Sequence, residues 1–106
     1  MAGVAELVRG LVALAAGGGE VVIERSVWGG VVEPRPQRSG EFRYEFPGGF
    51  LRVVRVGGVY GYLEAGFGDC RVSGVLVYGQ ARIVFRPSSV EGGCGGASRA
   101  PGLSRG

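Results

Sequence analysis

From Glu41 to Arg86 the sequence reads as short alternating runs separated by glycine-bearing steps: P-G-G at 47–49, G-G at 57–58, G-F-G-D at 66–69 and G-Q at 79–80. A period of two is the mark of strands with chemically distinct faces. Glycine supplies the positive φ angles that tight hairpin turns require. The stretch is therefore expected to form a continuous four-stranded antiparallel meander, and its first hairpin, Glu41–Val56, carries the clearest aromatic alternation in the chain.

Cross-strand charge selects the register of that hairpin. A turn at Pro47-Gly48 sets Arg43 opposite Arg52, whereas a turn at Gly48-Gly49 sets Glu45 opposite Arg52 and Tyr44 opposite Val53. Cross-strand pairs contribute about 0.2–1 kcal/mol each and like charges reverse the sign, so the second register is expected. A two-residue turn at Gly57-Gly58 then places Arg55 opposite Tyr60 and Val53 opposite Tyr62. Later turns place Glu64 opposite Arg71 and Leu76 opposite Ile83.

These registers sort the side chains onto two faces. One holds Val54, Val56, Val59, Leu63, Val72, Leu76, Ile83 and Phe85, with Gly61 and Gly74 paired at its centre. The other holds Phe42, Tyr44, Phe46, Tyr60 and Tyr62 together with Arg55, Arg71, Arg82 and Arg86. Rings with arginine between them suit single-stranded nucleic acid, because a ring stacks a base and guanidinium neutralises phosphate. Arg35 and Arg38, in the polar loop P-R-P-Q-R-S-G at 34–40, extend the candidate surface.

Before the meander, Val4, Leu7, Val8, Leu11, Val12 and Ala15 recur at helical spacing, the stripe of an amphipathic helix. Gly10 falls on its other side, and Gly17-Gly18-Gly19 supplies the stop. Residues 20–28 then switch to a period of two, and Gly29-Gly30 reads as the turn of one further hairpin, with Trp28 free to pack on the aromatic face. The helix is expected to cover the aliphatic face. After Arg86 the sequence is rich in glycine, serine and proline, the composition of a flexible tail. The expected organisation is one α+β domain at 1–86, an N-terminal helix on an antiparallel meander, followed by a tail at 87–106.

Composition narrows the function. All 12 basic residues are arginine, with neither lysine nor histidine. The usual general bases and Schiff-base nucleophiles are thus missing, and no acid pair or nucleotide-binding motif stands out. An enzyme is not expected, and neither is a cofactor. The only two cysteines, Cys70 and Cys94, do not make a zinc site without histidine. A bridge between them would tie the tail to the sheet, and is familiar inside hyperthermophile cells, though rare in a mesophile cytosol. No apolar run approaches the roughly 18 residues of a membrane span. Glu6 and Arg9 interrupt the opening apolar segment, which argues against a signal peptide and for a cytoplasmic protein.

The expected function is a small non-enzymatic binding module that takes single-stranded nucleic acid through its aromatic and arginine face. The alternative is protein–protein interaction or homo-oligomeric assembly, a homodimer in the simplest case, through the same face.

Overall fold

The apolar stripe of the first segment does form a helix, α1 (Val4–Ala16), which buries Leu7, Val8, Leu11, Val12 and Ala15. Gly18 and Gly19, at φ +87° and +86°, turn the chain after it. Gly10 is buried rather than solvent-facing. In the computed structural model, which describes residues 3–34, 40–94 and 102–105, the elements that follow are β1 (Val21–Glu24), α2 (Arg25–Val31), β2 (Gly40–Phe46), β3 (Gly49–Val56), β4 (Tyr60–Phe67), β5 (Cys70–Tyr78), β6 (Arg82–Glu91) and β7 (Leu103–Arg105). They make the expected α+β fold, with one antiparallel sheet in the order β2-β3-β4-β5-β6-β1-β7. α1 crosses the inner face over β3, β4 and β5. Against it pack Leu51, Val53, Leu63, Ala65, Val72, Leu76, Ile83 and Phe85, all essentially inaccessible. Each of these side chains apart from Ala65 contributes about 1.5–3 kcal/mol on burial.

The meander has five strands, β2 to β6, not four, and its first turn is the one that charge pairing argued against. Pro47 and Gly48 occupy it, so Arg43 does lie opposite Arg52. Two things overcome the repulsion. Proline presets φ for the first turn position and glycine takes the positive φ at the second, here +88°. Glu41 then neutralises the pair from the adjacent site, its Oε2 at 2.7 Å from Arg52 Nε and 3.7 Å from Arg43 Nε.

The next turn matters more. Three residues, Gly57, Gly58 and Val59, connect β3 to β4, and Val56 lies opposite Tyr60 instead of Arg55. Arg55 Nη2 donates to Gly58 O at 3.1 Å and Tyr78 N donates to Val59 O at 2.7 Å, which fixes this longer loop. The other turns differ from expectation by an even step: Glu64 faces Ser73 and Leu76 faces Phe85. Even steps keep a side chain on its face and an odd step reverses it. Val54, Val56 and Val59 are accordingly not core residues, and the β2 aromatics share the helix side with Leu51 and Val53.

The expected glycine pair is also absent. Gly61 lies opposite Leu76 and Gly74 opposite Leu63. A Cβ on Gly61 would come within 3.1 Å of the Tyr78 ring, so the space is filled by tyrosine rather than by the helix. Gly74 sits at the irregularity in the β5–β6 ladder, where a Cβ would meet Arg86 O at 2.0 Å.

No hairpin forms at Gly29-Gly30. Both glycines lie inside α2, despite their poor helix propensity, because the turn of helix buries Trp28 and delivers Val32 and Glu33 to the interior. β1 does not extend the β2 edge. It lies between β6 and β7, with Ile23 opposite both Ile83 and Leu103. Residues assigned to the tail therefore join the sheet: β6 runs on to Glu91 and β7 pairs with β1. A Cys70–Cys94 disulfide, with Cα atoms 4.7 Å apart, anchors the chain just beyond β6. Closing a loop with this separation of 24 residues disfavours the unfolded chain by about 3 kcal/mol.

Candidate functional site

The odd step after β3 divides the expected binding surface between two sides of the sheet. Phe42, Tyr44 and Phe46 are half-buried on the helix side. The Tyr44 hydroxyl donates to Val32 O, and Phe46 stacks on Phe67 with ring centroids 6.4 Å apart. Arg55, expected to reach solvent, is only 8% exposed. Arg71, Arg82, Arg86, Tyr60 and Tyr62 are exposed on the opposite, helix-free side. Arg35 and Arg38 lie outside the described residues.

Arg55 belongs to a buried clamp at the end of the sheet, roofed by α2. Its Nη1 donates to Glu33 Oε1 at 3.0 Å, while Tyr78 OH donates to Glu33 Oε2 at 3.0 Å and Trp28 Nε1 donates to the same oxygen. The guanidinium lies over the Tyr78 ring, 3.9 Å from its centroid. Burial, followed by the Glu33 charge, holds the Tyr78 phenol above its ordinary range. The same two causes raise Tyr44. A pocket of about 80 Å³ opens beside the clamp, lined by Arg25, Trp28, Gly29 and Ile83 among others. With both oxygens of Glu33 already accepting hydrogen bonds, the clamp is equipped to hold α2 and the β3–β4 loop in place. It offers no free acid or base.

Reading the sequence for function missed this clamp. A signal was available: Glu33 follows V-V and Arg55 sits within V-V-R-V. Single opposite charges inside apolar runs are buried only when they pair.

The bare face is ordered in cross-strand rows. One row runs Glu41, Val54, Tyr62, Val75, Arg86, and its neighbour runs Val56, Tyr60, Val77, Val84, Val22. Together they form an apolar and aromatic band in which Val56 is 67%, Tyr60 59%, Val75 43% and Tyr62 39% exposed. The remaining half of the face is charged and internally paired. Arg52 binds Glu41, Arg71 Nε lies 3.6 Å from Glu64 Oε2, and Arg71 Cζ lies 5.2 Å from the Phe50 ring centroid. At the border of the band Arg86 Nε reaches Glu20 Oε2 at 2.6 Å. The hydrogen bond from Arg52 holds the Glu41 carboxyl below its usual range. The aromatic and basic surface expected from sequence is thus an apolar band beside a nearly charge-balanced one.

Among the described residues no cluster of side chains is suited to a metal ion, and no helix is long and apolar enough to cross a membrane. Comparison with protein-family models, with curated proteins and with solved structures found no match.

Proposed function

We propose that the chain is a non-enzymatic assembly module that associates with protein through the bare face of its sheet. The observation that carries this reading is the band formed by Val54, Val56, Tyr60, Tyr62, Val75 and Val77, left uncovered by either helix. Contiguous apolar surface of this kind marks interaction sites on folded proteins. Charge supports protein over nucleic acid as the partner: Arg52, Arg71 and Arg86 already have glutamate neighbours, so each phosphate contact would have to displace an ion pair.

Binding of a single strand through Tyr60, Tyr62 and Arg82 is the second reading, favoured by the exposure of both rings. Light scattering over a dilution series, with a labelled oligonucleotide titration alongside, decides between them. Assembly predicts a mass above the monomer that collapses with Tyr62→Arg. A monomer whose oligonucleotide affinity falls steeply with salt and is lost in Tyr60→Ala would overturn assembly in favour of nucleic acid.

A further inference from the structure

The row through Tyr62 has an order that points to its partner. It begins with an acid at Glu41, passes through Val54, Tyr62 and Val75, and ends with a base at Arg86. Reversed about Tyr62, acid falls on base and valine on valine. Resting on the assembly reading above, we propose that the partner is a second copy of this chain, docked face to face about a two-fold axis parallel to the strands and passing over Tyr62.

A two-fold axis in that direction keeps every row on its own row and exchanges β2 with β6 and β3 with β5. Glu41 of each copy then meets Arg86 of the other, Val54 meets Val75, and Tyr62 meets itself. In the neighbouring row Val56 meets Val77, placing apolar band on apolar band. At the charged end Phe50 of each copy comes over Arg71 of the other. Glu64 meets Glu64 on the axis, each held by Arg71 of its own chain at 3.6 Å, and Glu45 meets Glu91 at the outer corners, where twisted sheets diverge. Sheets pack in this aligned manner at about −30°, with inner side chains interdigitating. Contact is closest along β4, beneath the axis, with the apolar rows on one half of the face and the charged rows on the other.

The available area is sufficient. Five strands of about eight residues present a face of roughly 24 by 27 Å, or ~650 Å² in projection, comparable to the ~800 Å² per partner of a standard stable interface. Glu41 and Arg86 are exposed and hold Arg52 and Glu20 within their own chain. Exposed pairs of this type exchange partners readily.

The test uses charge reversal in the intact, oxidised protein, read by analytical ultracentrifugation. Neither Glu41 nor Arg86 is in the core, so Glu41→Arg and Arg86→Glu should stay folded, each melting slightly below the native protein because Glu41 neutralises Arg43 and Arg52 and Arg86 pairs with Glu20. Each variant alone is expected to dissociate about tenfold more readily, since reversal sets like charges against each other at both rim contacts. Mixing the two restores opposite charges at both contacts, so a heterodimer of near-native affinity should form. A second readout places the axis: a short bis-maleimide that spans the roughly 10 Å between packed sheets should join Tyr62→Cys into a covalent dimer and should not join Glu45→Cys, at a far corner. If the native protein dimerises but the reversals have no effect and Tyr62→Cys does not cross-link, this docking is wrong while the assembly reading survives. A native protein that stays monomeric at every concentration overturns both, and a monomer that binds oligonucleotide assigns the face to nucleic acid.

Discussion

The clamp beneath α2 and the charged half of the bare face are made of the same parts: an arginine, a glutamate and an aromatic ring. In the clamp, Arg55 pairs with Glu33 over Tyr78, with both charged groups below one-tenth exposed. On the bare face, Arg71 pairs with Glu64 over Phe50, with Arg71 more than half exposed. The buried pair is also the tighter, 3.0 against 3.6 Å, but solvent makes the larger difference. Water screens the exposed pair to about 0–1 kcal/mol, whereas removing one member of a buried pair strands the other charge in a poorly solvating interior.

The largest expected effect follows from that contrast. Glu33→Ala should lose about 3–5 kcal/mol of stability in a denaturant titration. The double replacement Glu33→Leu with Arg55→Met should recover most of the loss, because it removes both charges together. If Glu33→Ala is no worse than Glu64→Ala, the clamp is not the dry site described. Reducing the disulfide should cost next most, about 3 kcal/mol, measured as a lowered melting temperature on adding reductant.

Alkaline pH sharpens the comparison further. The folded protein holds the Tyr78 proton above its ordinary range, so this contribution to stability is complete below about pH 10. It is lost as pH rises through the folded value. The pH dependence of the denaturation midpoint above 10 should therefore flatten in Tyr78→Phe and remain in Tyr62→Phe. The smallest effects belong to the bare face. Arg71→Ala should change stability by less than about 0.5 kcal/mol. Glu41, lowered by Arg52, helps above its usual titration range and ceases to help as pH falls through its lowered value. Glu41→Gln should slightly flatten the acid limb, and strong salt should erase the difference.

How much of this was legible varied with the range of the interaction that decides it. α1 was plain, because its stripe is local and every member of it is at least half-buried. The meander was plain too, because glycine marks its turns. The length of the Gly57–Val59 connection was not, since it is fixed by Arg55 and Tyr78 reaching it from elsewhere. That single residue moved Tyr60 and Tyr62 to the side of the sheet opposite Phe42, Tyr44 and Phe46. α2 was hidden for a similar reason: Gly29-Gly30 has the local chemistry of a turn, and only the burial of Trp28 and Glu33 makes the segment helical. The apolar band is invisible in the local pattern, because a loop one residue shorter at Gly57-Gly58 would turn Val54 and Val56 toward the helix.

The position of β1 has a consequence for how the chain reaches this state. Ile23 is an early residue, yet its sheet partners are Ile83 and Leu103. As the polypeptide is synthesised, α1 and β1 emerge with no sheet to receive them, and the stripe of α1 stays wet until the meander exists. Contacts so distant along the chain slow folding, and exposed apolar segments that wait are prone to aggregate. The β2–β5 hairpins can form by themselves as they appear. Completing the sheet requires an early strand to take its place beside β6 and to receive β7 on its other edge.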